Sequence, residues 1–402
     1  MKKILFVILD GAGDGLKKGT SLELAHKPNL DEFTKNGIGG LIKNELDKHP
    51  DSGISTFNLF GYSTNYPGRG YLDGLGIGLQ AKPNTLYMRA NFATVKKEMK
   101  KIAEGQFAQK YTIVDRRAGR EENGLIEIAK DIKEMFIEGF KIEFHKSVAH
   151  RGVLTISNYN VSTNLSDTDT GKVGDIIQSI VATKTDSKSE KTAAVLNKWL
   201  HEVTKILEAH PANKTRKFPA NYILLRGPGS YVIEKSFKEK FGMKGAVVAK
   251  SPVVRGIGKH FEMDVVDVPG ATADLKTDLN AKTLAALHAL DNHNFVILHI
   301  LGTDIAGHSK NIQLKKGFIE KIDRDVFGKI KEYVNFEDTM LVVTSDHITS
   351  IFTGDHEPGL FPFMIYTNGI ESNKVQSYYE NECKKGPVLD IQNFMEQVVK
   401  YL

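Results

Sequence analysis

Four short aliphatic runs constrain this chain more than any other feature: ILFVIL (4–9), YILLR (222–226), FVILHIL (295–301) and MLVVTS (340–345). None alternates polar with apolar, so each must bury both faces, as strands do in a sheet covered on two sides. Two segments, Thr277 to Leu290 and Ile319 to Val334, space their apolar residues for a helix packed on such a sheet, with charges on the other face. Strands alternating with helices predict the α/β class: a mostly parallel sheet sandwiched by helices. Residues 71–265 read differently, with glycine-rich turns, the basic cluster DRRAGR (115–120) and a polar loop, SNYNVSTNLSDTDTGK (157–172). The expected organisation is one α/β domain built from 1–70 and 266–402, with an α+β cap domain, 71–265, inserted between them.

A chain of 402 residues is long enough for two or three cores, and 41% hydrophobic with 26% charged residues is ordinary for a globular protein. No apolar run approaches the length of a membrane span, so no membrane partner is expected. The opening MKKILFVILDG places lysines before an apolar run, as an export signal does, but the run stops at Asp10 without a small-residue cleavage site. It predicts a first strand and a cytoplasmic protein. Cys383 is the only cysteine, which excludes an internal disulfide. The net charge of +5 is carried by dispersed lysines, so nucleic acid is not an expected partner, whereas a small anion is. Oligomeric state leaves no mark on these patterns.

The apolar runs end on unusual residues. The first ends at Asp10. FVILHIL leads into GTDIAGH, which carries Asp304 and His308; MLVVTS leads into Asp346 and His347; His356 follows nine residues later in GDHEPG. In a parallel sheet the carboxyl ends of strands share one edge, where ligands gather. A single strand-terminal Asp is more often a cap, and a single His a hydrogen-bonded core residue. Their joint placement points to metal. Carboxylates with imidazoles suit Mn²⁺ or Zn²⁺ and tolerate Mg²⁺ or Co²⁺. Three acids and three histidines exceed one four-coordinate site. They suffice for two ions if a nucleophile or substrate adds a ligand, and two ions about 3.5–4 Å apart can hold both the entering and the leaving oxygen of a phosphoryl transfer.

On further motifs the chain resembles the archaeal-type cofactor-independent phosphoglycerate mutases of the alkaline phosphatase superfamily. The resemblance covers nearly the whole sequence: ILDGAGD, HKPNLDEF (26–33), LFGYSTNYPGRG (59–70), NFATV (91–95), VDRRAGR (114–120), HKSVAHRGVL (145–154), DTDTGK (167–172), PANYILLRGPG (219–229), VPGATADLKTDLNAK (268–282), GTDIAGH and SDH. It implies a phosphatase-like domain with two metal ions and an inserted cap. It also implies an isomerase of glycolysis and gluconeogenesis that passes a phosphoryl group to an enzyme serine and back, interconverting 3-phosphoglycerate and 2-phosphoglycerate. One ion would be held by Asp10, Asp346, His347 and the serine, the other by Asp304, His308 and His356. A gapless match of Pro50–Thr56 to the family's P-G-S-D-T-A-H makes Ser52 the nucleophile, with Ser55 and Thr56 as alternatives.

The match has departures. Gly53 stands for an acid, Ile54 for a threonine and Thr56 for a histidine, and Glu357 to Pro362 differs from the family's S-G-D-P-V-P. They leave open a metal-dependent phosphatase or phosphodiesterase, or a weakened paralogue that only binds. A mutase must hold a small dianion, and arginine's planar fork suits phosphate and carboxylate alike. Asp115, Arg116, Arg117, Arg120, Lys146, His150, Arg151 and Arg226 are the expected substrate contacts, Arg116 and Arg117 foremost, with Arg69 near a hinge at Gly68 and Gly70. The segment Val266 to Gly270 is the expected second hinge strand.

Overall fold

The computed structural model describes residues 2–45, 50–62, 65–103 and 106–402, so Ser63 and Thr64 of the LFGYSTNYPGRG run lie outside the described residues. The chain forms two compact units, Met1–Tyr66 with Ile233–Leu402, and Pro67–Val232.

The larger unit is built on an eight-stranded sheet. Its strands lie in the order Asp264–Val266, Gly245–Val248, Phe295–Ile300, Lys3–Leu9, Thr339–Thr344, Gly359–Tyr366, Ile38–Asn44 and Val388–Asp390. The first five run parallel, Gly359–Tyr366 runs against both neighbours, and Val388–Asp390 is parallel to Ile38–Asn44. Residues 4–9, 295–300 and 340–344 are fully buried, as two-sided coverage requires. Of the two expected helices, the first spans Leu279–Ala289, opened by Asp278, whose carboxylate accepts from Ala281 N. The second starts earlier than its pattern suggested, at Ile312, and reaches Tyr333 through a π-helical turn at Asp323–Phe327. Among the described residues no helix is long and apolar enough to cross a membrane.

Two expectations are corrected. YILLR (222–226) is a buried strand of the other unit, pairing antiparallel with Thr85–Ala103; local apolarity marks burial but not which sheet owns the strand. Residues 233–265 belong to the larger unit, because Gly245–Val248 and Asp264–Val266 form the parallel flank of its sheet. Strands of four and three residues leave too little pattern to read. The chain therefore leaves the insert after Val232, upstream of the expected hinge at Val266 to Gly270.

The insert carries an antiparallel sheet in the order Gln106–Asp115, Thr85–Ala103, Arg151–Ser157, Phe140–Lys146, Glu134–Ile137, with Tyr222–Ser230 also on Thr85–Ala103. Helix Ser187–Ala209 adds the buried Trp199 to its core. The entering and leaving segments of this unit touch: Ser230 N donates to Pro67 O at 2.9 Å, and a Cβ on Gly68, at φ +91°, would collide with Pro228 O.

A buried polar network braces the loops beyond the large sheet. Asp14 Oδ1 accepts from Lys315 Nζ at 2.8 Å, and Glu380 accepts from Asp14 N at 2.7 Å and from Thr20 Oγ1 at 2.8 Å. Burial pushes the Glu380 carboxyl up to about 7. An acid whose folded value lies above its unfolded value contributes stability that is present at low pH and lost as pH rises from about 4.5 to about 7. Glu380→Gln removes that loss. In urea melts at pH 5 to 8, the stability difference between the variant and wild type should grow with pH, in the variant's favour, by about 3 kcal/mol.

Candidate metal centre and arginine cluster

The sheet topology explains how residues hundreds of positions apart meet. Lys3–Leu9, Phe295–Ile300 and Thr339–Thr344 are parallel neighbours, so Asp10, the helix Gly302–His308 and the pair Asp346–His347 all emerge at one edge. Gly359–Tyr366 runs the other way, so the segment leading into it, with His356, starts at that same edge. Ile38–Asn44 ends there as well, Asn44 pairing with Gly359, and leads towards Ser52.

Both ligand groups named from the sequence come together. The ligand atoms of Asp10, Asp346 and His347 lie within 4.8 Å of one another, and so do those of Asp304, His308 and His356. His347 Nε2 is 3.1 Å from Asp10 Oδ1 and 3.7 Å from Asp346 Oδ2; Asp304 Oδ1 is 3.1 Å from His356 Nε2 and 3.4 Å from His308 Nε2. The His347 and His356 ring centroids, 4.1 Å apart, join the two groups.

The imidazoles are oriented from behind. His308 Nδ1 is 2.8 Å from Gly354 O, His356 Nδ1 is 2.8 Å from Pro50 O, and His347 Nδ1 is 3.3 Å from Ile348 O. A carbonyl only accepts, so each Nδ1 carries a proton and each Nε2 turns towards carboxylate oxygens. Those opposed lone pairs require positive charge between them. Burial alone would neutralise His347, yet Asp346 and Asp10 raise it to about 10; burial and the charge of Asp10 raise Asp346 to about 6. The cluster thus draws protons where a cation would sit, and this donor set fits divalent metal.

Ser52 opens the helix Ser52–Leu59, capped by Asp51, whose Oδ1 accepts from Gly53 N at 2.6 Å and Ile54 N at 3.2 Å. Ser52 Oγ lies 3.2 Å from His347 Nε2 and 3.5 Å from Asp10 Oδ1. Of the alternatives, Ser55 Oγ accepts from Asn44 Nδ2, and Thr56 Oγ1 donates to Asp346 Oδ2 at 3.4 Å, at the same ligand group. Gly53 has a steric reason. A Cβ there would stand 2.6 Å from the Tyr66 hydroxyl and 2.9 Å from Asp51 Oδ1, so an acid at this position would have to displace those two side-chain ends. Sequence reasoning missed His299, fully buried, with Nε2 2.9 Å from Asp10 Oδ2. Its signal was an imidazole inside an otherwise aliphatic run.

Within the insert the expected substrate contacts divide. Arg116 is engaged by Asp169 through two hydrogen bonds of 2.7 and 2.8 Å, and Asp115 shapes its own turn by accepting from Arg117 N and Gly119 N. Arg117 is half-buried beside them. Arg226 pairs in register with Arg89, and Arg151 with Asn91, on the strand Thr85–Ala103. Asp73 lies 3.4 Å from Arg69 Nε and 3.5 Å from Arg89 Nη1. Burial, and then the charges of Arg226, Arg69 and Arg151, hold Arg89 well below the usual guanidinium range. Burial beside Arg151, Arg89 and Arg120 pushes His150 down to about 3. His150 Nδ1, Arg89 Nε, Arg151 Nε and Asn91 Oδ1 are buried without hydrogen bonds. A concentration of buried cations with unspent donors suits an anion.

Fold and site together define an α/β protein with two clusters of candidate metal-ligand residues at the carboxyl edge of its sheet and an inserted, arginine-rich α+β unit. The model for 2,3-bisphosphoglycerate-independent phosphoglycerate mutase matches residues 34–213. A mutase of that name from Archaeoglobus fulgidus is 35% identical over 95% of this chain and 93% of its own length. The cofactor-independent phosphoglycerate mutase structure from Thermoplasma acidophilum, 31% identical, matches all of both chains at a TM-score of 0.65. A Pyrococcus horikoshii protein structure, 26% identical, matches all of this chain and 98% of its own at 0.80. The chain belongs to the 2,3-bisphosphoglycerate-independent phosphoglycerate mutase family, a family of isomerases.

Proposed function

We propose that this chain interconverts 3-phosphoglycerate and 2-phosphoglycerate through a phosphoserine at Ser52. Two divalent cations, Mn²⁺ foremost, would be held by Asp10, Asp346, His347 and Ser52 and by Asp304, His308 and His356. The observation that carries this reading is the position of Ser52 Oγ, 3.2 Å from His347 Nε2 and 3.5 Å from Asp10 Oδ1, on the first residue of a helix. When bound, such cations lower the pKa of the serine hydroxyl and offset charge on the transferring phosphoryl oxygens.

Ser52 Oγ bonds to phosphorus as the bond from phosphorus to the C3 oxygen of glycerate breaks; the serine's proton ends on that oxygen. The return step transfers the phosphoryl group to the C2 oxygen, whose proton restores the serine, and no water is consumed. The glycerate is assigned to Arg120, His150, Arg151 and Arg226, joined by Arg69 and Arg89. Because Asp169 takes up its fork, Arg116 is assigned a supporting part in this reading.

The test is an enolase-coupled assay with Mn²⁺, run beside a measurement of inorganic phosphate. Formation of 2-phosphoglycerate well in excess of phosphate is expected. Stoichiometric phosphate with no 2-phosphoglycerate would replace the mutase with a phosphatase. In the same assay Arg151→Gln should raise KM tenfold or more, and Arg116→Gln less than threefold.

A further inference from the structure

Thr349 belongs to neither ligand group, yet it lies between them. It is fully buried. Its Oγ1 is 2.7 Å from Asp304 Oδ1 and 3.3 Å from His347 Nδ1. A carboxylate only accepts, so the hydroxyl donates to Asp304; His347 Nδ1 carries its proton, so the hydroxyl can accept from it. The hydrogen bonds then run one way, from His347 through Thr349 to Asp304. They cross from one ligand group to the other in a single side chain.

The surroundings hold this residue in place. Lys315 Nζ donates to Thr349 O at 2.8 Å from within the buried Asp14–Glu380 network. A Cβ on Gly11 would collide with Thr349 Oγ1, and one on Gly307 would stand 2.6 Å from Thr349 O. Two glycines thus clear the space this threonine fills.

We propose that Thr349 is a positioning residue that couples the two cation sites. At His347 it shares with Ile348 O the Nδ1 proton that leaves Nε2 free to ligate, and through Asp304 it fixes the carboxylate oxygen shared with His308 and His356. A cation on His347 Nε2 makes Nδ1–H the stronger donor, strengthens the hydroxyl's bond to Asp304 and so lowers that carboxylate's basicity; a cation on Asp304 weakens the relay back to His347, so the coupling is negative. This rests on the two-cation reading above but not on the identity of the substrate.

The test reads metal binding by calorimetry with Mn²⁺ on metal-free protein, without substrate. Wild type should bind two ions, the second more weakly than the first. Thr349→Val, which keeps the shape and loses the hydroxyl, should bind 10- to 100-fold more weakly and with the gap between the two affinities narrowed. Thr349→Ser should recover wild-type affinity within about threefold. The metal-free variants should melt within a few degrees of wild type, which separates positioning from folding. A Thr349→Val isotherm matching wild type would overturn the proposal, as would two independent ions in wild type. Two coupled ions in a protein that makes no 2-phosphoglycerate would support the coupling and sink only the mutase reading.

Discussion

Ser52→Ala should lower 2-phosphoglycerate formation by three orders of magnitude or more, a loss of at least about 4 kcal/mol of transition-state stabilisation. KM should change less than threefold, because the arginine cluster that is assigned to hold the glycerate is untouched. Acid-quenched wild type incubated with phosphate-labelled 3-phosphoglycerate should retain label on the protein, and the variant none. Ser55→Ala and Thr56→Val should keep the label, since their hydroxyls serve Asn44 and Asp346. Activity surviving in Ser52→Ala with label still bound would move the nucleophile elsewhere.

The second large effect concerns Asp346. Burial and the neighbouring charge of Asp10 oppose its ionisation, so a metal-free site stores like-charge repulsion. Asp346→Asn removes that repulsion, while the amide oxygen can still accept from Gly11 N and His347 N as Oδ1 does. In chelator the variant should melt at or above wild type. In Mn²⁺ the order should reverse. A ligand at a hundred times its Kd stabilises by about 2.7 kcal/mol per site, and the variant loses that gain at one of its two sites. Activity should fall at least a hundredfold. A variant that melts below wild type in both conditions, and still binds two ions, would make Asp346 a structural residue only.

The clustering of the proposed ligand residues was legible because they sit where strands run out, and strand ends are written in the sequence as apolar runs that stop. His356 was legible only as a histidine at a suggestive distance. Its place at the edge depends on one strand reversing direction, which no local pattern records. The arginines were harder. DRRAGR is conspicuous in sequence, but Asp169, 53 residues from Arg116, takes up its fork. Arg89 was not singled out from the sequence, and the structure buries it in cross-strand register with Arg226. His299 and Thr349 act from behind the ligands, where chemistry depends on packing that spacing does not reveal. The early boundary of the insert was missed for a similar reason: three- and four-residue edge strands borrow their stability from neighbours and show little of their own.

The reversed strand Gly359–Tyr366 has a consequence for biosynthesis. The proposed ligands run from position 10 to position 356, and the last arrives on the segment that precedes this strand. If they hold the cations as proposed, a nascent chain would lack the full set until position 356 has been made. The intervening unit, with its own sheet and core, can fold well before that. On that ligand set, metal capture would be deferred to an almost finished polypeptide.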